Sequence, residues 1–271
     1  MRLVEIVAQL RAPDGCPWDR KQTIGSLSHY VLEEAYEVVD AIERADVDML
    51  REEIGDHIFE AVFLAQIAAE NGWFRVDDSL EAVTAKLIRR HPHVFQPNGQ
   101  VHDSESKERA PSAEAALARW NALKEQERTE GGRTHATLGG IPVALPALLR
   151  AFKIGKRTAE VGFDWVRAQD VLAKIEEEVA ELRETFETDA ADTDRAEEEM
   201  GDLLFAIANL SRKLDIEPEA ALRKANDKFT ARFATMERAI VDSGRSLRDM
   251  SLDELENEWA KAKMGKPFGT S

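Results

Sequence analysis

Apolar residues recur every three or four positions through most of this chain, the spacing that lines one face of a helix. Ile54, Ile58, Val62 and Ala65 form one such stripe; Met200, Leu203, Leu204, Ile207 and Leu210 form another. No long alternation of Val, Ile, Thr and aromatic residues occurs, so strands are not expected. The pattern predicts helices over about 27–43, 47–71, 76–90 and 112–127, then 147–161, 171–186, 194–214, 219–242 and 252–264. The punctuation agrees. Gly72 is placed to cap the second helix. His91-Pro92-His93 ends the third, because proline disfavours a helical residue before it. Asp192-Thr193-Asp194 supplies an N-cap region. Residues 96–107 read as a polar loop, and Gly131-Gly132-Arg133 and Gly139-Gly140-Ile141-Pro142 as a flexible connection.

The polar positions repeat as well. Glu33-Glu34-Ala35-Tyr36-Glu37 is followed by Glu52-Glu53-Ile54-Gly55-Asp56; Glu177-Glu178-Val179-Ala180-Glu181 is followed by Glu198-Glu199-Met200-Gly201-Asp202. Both read E-E-x-x-E, a gap, then E-E-x-G-D. The repeat predicts an all-α fold made of two small helical bundles in tandem. The first spans 1–110, a helical linker and flexible connection 111–145, and the second 146–271. Residues three or four apart share a helix face, so Glu178 and Glu181 point one way, as do Glu199 and Asp202. Two such helices side by side bring the carboxylates together. An acidic run alone more often marks a solvated face; recurrence beside apolar stripes argues for more, because charge at the edge of a core is costly without a partner. Gly55 and Gly201 fall inside predicted helices, where glycine costs about 1 kcal/mol relative to alanine. Their recurrence suggests close helix approach beside the carboxylates.

Composition narrows the function. A formal charge of −16 argues against a general nucleic-acid binder. The single Cys16 leaves no disulfide framework within the chain and fits a reducing compartment. No apolar stretch is long enough to span a membrane, and the start, Met1-Arg2-Leu3-Val4-Glu5, lacks a signal-peptide apolar core. The expectation is a soluble cytoplasmic protein of two domains.

The carboxylate pattern discriminates among metals. A di-iron bundle needs histidine three residues after a glutamate; here those positions hold Glu37, Asp56, Glu181 and Asp202. An EF-hand needs one contiguous loop. Carboxylates spread over two helices suit Mg²⁺, with Mn²⁺ as the alternative, ions that commonly hold phosphates. A polyphosphate then needs cations. The second half has Lys174 one turn before Glu178, Arg195 one turn before Glu199, and Lys228 and Arg232 a turn apart on the next helix. In the first half Tyr30 and Met49 stand where Lys174 and Arg195 do. Aligning Lys86 and Arg90 with Lys228 and Arg232 sets Thr84 and Ala85 against Asn226 and Asp227. The second half is the better polyphosphate site. The first keeps metal-type carboxylates (Glu34, Glu37, Glu53 and Asp56) in a degenerate, structural or altered site.

These motifs resemble the MazG family of nucleoside triphosphate pyrophosphohydrolases. The likeness runs through Gly15-Cys16-Pro17-Trp18-Asp19, Leu32-Glu33-Glu34, Arg89-Arg90-His91-Pro92-His93-Val94-Phe95, Val161-Gly162-Phe163-Asp164-Trp165, Glu198-Glu199-Met200-Gly201-Asp202-Leu203-Leu204-Phe205 and Lys224-Ala225-Asn226-Asp227-Lys228-Phe229. The resemblance implies an all-α homodimer that cleaves NTPs to NMP and pyrophosphate with Mg²⁺ and does its chemistry in the C-terminal domain. It implies Glu178, Glu181, Glu199 and Asp202 as metal ligands. As nucleotide contacts it implies Lys174, Glu177, Arg195, Glu198, Asp202, Lys228, Arg232 and Trp259. The N-terminal domain is expected to be weakly active or inactive.

Such hydrolysis needs charge neutralisation and an aligned water. Glu178 or Glu181 is the candidate base. Trp259 is a candidate for stacking on the base, which tolerates every nucleobase; the rival reading for it is helix packing, and packing is what we expect of Trp165. His91 and His93 are read as structural, because no Cys or third ligand lies near them. Two other functions stay open: a helical dimer that binds nucleotide or protein as a sensor, and a pyrophosphohydrolase for one specialised nucleotide.

Overall fold

The computed structural model describes residues 2–103, 110–130, 136–186 and 193–264. Among the described residues the chain is α-helical, and its β-structure is one isolated antiparallel bridge, Phe95 to Val101, in the loop after the third predicted helix. The chain divides into two compact units between Gly131 and Gly132. The first contains α1 (Arg2–Arg11), α2 (Ile24–Glu43), α3 (Val47–Glu70), α4 (Val76–Arg90) and α5 (Ala113–Glu130). The second contains α6 (Ala147–Glu160), α7 (Ala168–Glu184), α8 (Thr193–Lys213), α9 (Pro218–Asp242) and α10 (Leu252–Met264). Asp192, 104–109 and Gly131-Gly132-Arg133, to which the sequence assigns a cap, part of a loop and a connection, lie outside the described residues.

Each unit is built on a long helix pair, α2 with α3 and α7 with α8, backed by a shorter helix, α1 on α3 and α6 on α8. Local chemistry sets the ends. Thr23 and Ser26 form a capping box at the start of α2. Asp46 accepts from the amides of Asp48 and Met49 to start α3. Between them Ala45 takes a left-handed conformation, φ 53°, that turns the chain back. Gly72, φ 70°, follows α3 as expected of a C-terminal glycine.

The sequence pattern did not mark α1. Its spacing, Leu3, Val4 and Val7, carries it: Val7 is fully buried, and Leu3 and Val4 pack on a core of Leu27, Val62, Phe63 and Ile67. Residues 111–145, assigned to the linker, contain α5. That helix is held to α4 by Glu127, which accepts from Arg89 Nε at 2.7 Å and from Arg90 Nη2 at 2.6 Å.

In the second unit α6 and α8 meet at Gly155, opposite the buried Asn209. The loop before α7 is clamped by Asp164, which accepts from Arg212 and, at 2.6 Å, from Lys213. Lys213 also donates to the Trp165 carbonyl. Glu219 of α9 accepts from the first amides of α6, those of Leu148 and Leu149.

Two expectations are corrected. The apolar stripes are not core throughout: Val62 and Ala65 are buried and Leu203 and Leu210 half-buried, but Ile54, Ile58, Met200, Leu204 and Ile207 are exposed. The half of each stripe beside the carboxylates therefore extends past the helices available to cover it. Gly55 and Gly201 do not mark close helix approach, for a Cβ at either would meet nothing within 4 Å. Among the described residues no helix is long and apolar enough to cross a membrane.

Candidate metal centre

In the second unit α7 presents Lys174, Glu177, Glu178 and Glu181, and α8 presents Arg195, Glu198, Glu199 and Asp202. Pairing the helices brings one carboxylate oxygen each from Glu178, Glu199 and Asp202 within 4.8 Å of one another. Glu181, on the same face as Glu178, stands outside that trio. Its carboxyl is raised above the usual range by partial desolvation and then by the charges of Glu199 and Glu178. Glu178 is 3% exposed, and its Oε2 is buried without a hydrogen-bond partner. Its Oε1 lies 2.7 Å from Lys174 Nζ, which also binds Glu177 Oε1 at 2.7 Å. These two carboxylates hold the Lys174 ammonium well above its ordinary pKa. Arg195 reaches Glu199 at 3.5 Å and Glu184 at 3.2 Å. Glu177 and Glu198 are exposed on the outer side.

The trio has the chemistry of a hard-cation site: oxygen donors alone, close enough to repel, one of them buried with an unsatisfied oxygen. Lys228 is exposed and Arg232 half-buried on α9, which packs on α6, α8 and α10. Neither is brought into an ion pair with the carboxylates among the described residues. Trp259 of α10 is half-buried, its ring 5.0 Å from Phe229 of α9, with Lys263 Nζ 5.7 Å away. Phe229 in turn stacks on Phe233. Packing on Phe229 thus accounts for part of the surroundings of Trp259.

The first unit repeats the arrangement with different surroundings. Glu34, Glu37 and Glu53 offer oxygens within 4.8 Å of one another, and here Asp56 stands outside. Glu34 is raised by burial, then by Glu37, Asp56, Glu53 and Glu60. Glu53 is raised by desolvation, then by Glu37, Glu52 and Asp56. At the place of Lys174, Tyr30 lies against the His29 ring at 3.8 Å and edge-on to Trp18 at 6.1 Å.

Glu60 was missed from the sequence. It is 7% exposed with Oε2 unpartnered, raised by burial, lowered by His29 and raised by Asp56. Its only signal is a lone acid one turn after Asp56 inside an apolar run. His91 and His93 end α4 as expected. His91 Nδ1 lies 2.7 Å from the Leu87 carbonyl, and burial, then His91 and Arg119, lower His93. Neither joins a metal-type cluster among the described residues.

Comparison with known proteins agrees with this architecture. The model of the MazG nucleotide pyrophosphohydrolase domain matches twice, at residues 22–95 and 167–236, once in each unit. A nucleoside triphosphate pyrophosphohydrolase of Escherichia coli (strain K12) is 44% identical over 97% of this chain and 96% of its own length. A nucleoside triphosphate pyrophosphohydrolase/pyrophosphatase MazG of Thermotoga maritima is 43% identical over 97% and 95%. The crystal structure of a mazG-related protein from Thermotoga maritima is 31% identical, covering 46% of this chain and 97% of that one, with a TM-score of 0.37. Two carboxylate centres on two repeated bundles, each bundle matched by the same domain model, mean that this chain belongs to the MazG nucleotide pyrophosphohydrolase family.

Proposed function

We propose that this protein hydrolyses nucleoside and deoxynucleoside triphosphates between the α and β phosphates, releasing NMP and pyrophosphate, and that the second unit performs the reaction. One observation carries the choice of unit: among the described residues, a Lys and an Arg, Lys174 and Arg195, touch the clustered carboxylates in the second unit alone. The names of the relatives support the reaction type.

Glu178, Glu199 and Asp202 would hold the cation, Mg²⁺ or Mn²⁺, since the donor set is all oxygen and Glu178 Oε2 lacks a partner. When bound, such an ion neutralises phosphoryl charge and lowers the pKa of a coordinated water. Lys174 and Arg195 would turn from their glutamates to the phosphates and stabilise charge on the departing pyrophosphate. Lys228 and Arg232 on α9 supply further positive charge, with Glu177 and Glu198 at the rim. Glu181, on the same helix face as Glu178 but outside the trio, is suited to accept the water proton as the new P–O bond forms and the bridging P–O bond breaks. Trp259, half-buried on α10, suits stacking without base selection, hence broad specificity.

The exposed residues Ile54, Ile58, Met200, Leu204 and Ile207 favour a homodimer, two-fold pairing being the commonest way to cover such faces. A light-scattering mass of about twice the 30.4 kDa of one chain is expected; a mass of one chain counts against the dimer. For the activity, a panel of NTPs and dNTPs with Mg²⁺ should yield pyrophosphate rather than orthophosphate. Glu178→Gln and Asp202→Asn should each lower turnover by roughly 100-fold or more, in the range reported for loss of a key electrostatic group, with helical circular dichroism retained. Normal turnover in either folded variant defeats the assignment.

A further inference from the structure

We propose that the first unit carries a nucleotide subsite of its own on α4 and α5, and that Glu127 keeps it closed by holding the place of a phosphate between Arg89 and Arg90. Reading the subsite as one for nucleotide rests on the function proposed above; the closure by Glu127 rests on the geometry of α4 and α5 alone.

The fifth helix of each unit carries the same marks. Trp120 and Lys124 stand on α5 at the spacing of Trp259 and Lys263 on α10. Each helix packs on the one before it, α5 on α4 and α10 on α9. In each, the lysine lies over its tryptophan, Lys124 Nζ 4.9 Å and Lys263 Nζ 5.7 Å from the ring centre. The preceding helices agree as well, since Lys86 and Arg90 align with Lys228 and Arg232. The ring and the two cations proposed for nucleotide in the second unit, Trp259, Lys228 and Arg232, thus have counterparts on the same two helices of the first. The halves diverge seven residues after the tryptophan, where the second has Lys266 and the first Glu127.

That one exchange decides what the arginines hold. Trp120, Lys124 and Glu127 share a face of α5, being four and then three residues apart. Arg90 Cζ lies 5.6 Å from the Trp120 ring centre, and Arg90 donates to Glu127 Oε2 from Nε at 2.9 Å and from Nη2 at 2.6 Å. Arg89 Nε donates to the other oxygen at 2.7 Å. Two guanidinium groups closed on one carboxylate are what arginine also offers a phosphate, because both anions present paired oxygens to its fork. The indole beside them supplies a π-face for a base. Glu127 is carried on the helix that supplies the ring, so it competes at the high effective concentration of a tethered group. Free nucleotide meets a closed site, and its apparent affinity falls with the fraction of time the carboxylate is away. Docking of α5 on α4 explains the ion pair by itself, but not the recurrence of Arg90, Trp120 and Lys124 around it.

The test uses the full chain and the Mg²⁺ complex of the α,β-methylene analogue of ATP, in which a carbon replaces the oxygen of the bond to be cut. Calorimetry gives the number of sites. The indole N–H resonance of Trp120, identified by its loss in Trp120→Phe, locates the new one. The wild-type chain should bind one analogue without moving that resonance. Glu127→Gln should bind a second, roughly tenfold or more tighter than any second binding by the wild type, and the resonance should shift as the analogue is added. Glu127→Asp keeps the charge but is one methylene shorter and cannot span both arginines, so it should gain the same site less strongly. It guards against misfolding of the Gln variant, and helical circular dichroism checks both. Adding Arg90→Met to Glu127→Gln should remove the second site alone. A folded Glu127→Gln chain that gains no site overturns the proposal, as does a second site that survives Arg90→Met. So does a wild-type chain whose Trp120 resonance already shifts at the affinity of the variant, for Glu127 would then close nothing. If the wild type binds no analogue and cleaves no NTP while Glu127→Gln still gains its site at Trp120, the proposed function fails and the first-unit subsite stands.

Discussion

What a glutamate does in this chain is decided by its neighbours. Glu127, gripped by Arg89 and Arg90, is a structural ion; Glu178, with one oxygen on Lys174 and the other unpartnered, belongs to a cluster of three carboxylates; Glu60 is buried with an oxygen that nothing satisfies. Glycines divide in the same way. Gly55 and Gly201 have open space where a Cβ would go, whereas at Gly155 a Cβ would overlap Asn209 Oδ1 and come within 3.1 Å of Arg212 Nε. Asn209 is buried and bonded to the Phe205 carbonyl, so it has little room to retreat. Gly155→Ala should therefore destabilise the second unit by about 1–3 kcal/mol, the usual penalty for overpacking, and loosen Arg212 from Asp164. Denaturant midpoints of the full chain, compared with Gly201→Ala as a control for helix propensity, would show it. An unchanged midpoint would mean that Asn209 can move aside.

Among the elements, the contact of α4 with α5 depends on charge. Hydrogen bonds from Arg90 and then Arg89 pull the Glu127 carboxyl from an ordinary 4.5 down to about 2. A folded pKa below the unfolded one stabilises above the unfolded value, and that stability is lost as pH falls through the folded value. The contribution is thus complete above about pH 4.5, the ordinary value, and disappears toward pH 2. Glu127→Gln should lower the stability of the first unit near neutrality and make it less sensitive to pH across that window. Parallel slopes for both proteins would show that the pair contributes nothing. The bounds of α4, α9 and α10 follow from periodicity and punctuation. The docking of α5 did not, because an ion pair between residues 37 and 38 positions apart has no local signature. In α1 the spacing was present but short, and its worth depends on Phe63 and Ile67 far along the chain.

For the whole molecule the proposed function implies a division of labour between two copies of one domain. Glu34→Gln with Glu53→Gln should leave most triphosphate hydrolysis intact, while Glu178→Gln with Glu199→Gln should remove it, both measured on folded protein of equal oligomeric state. The physical reason is that a metal without cations around it leaves the remaining phosphate charge unmatched. If the first pair silences the enzyme and the second does not, the active half is wrongly assigned.

The sequence by itself determined the helical class, the tandem repeat and the identities of the carboxylates, because a period of 3.6 and a doubled motif are local properties of the chain. Only the tertiary structure decided which carboxylates meet. The same E-E-x-x-E and E-E-x-G-D spacing gathers Glu34, Glu37 and Glu53 in one unit but Glu178, Glu199 and Asp202 in the other. Helix pairing and side-chain direction set those distances, and neither is written in spacing along one helix. The burial of Glu60 and the exposure of Ile54 and Met200 belong to the same class of fact. Periodicity says which face is apolar; only packing says how much of that face another helix covers.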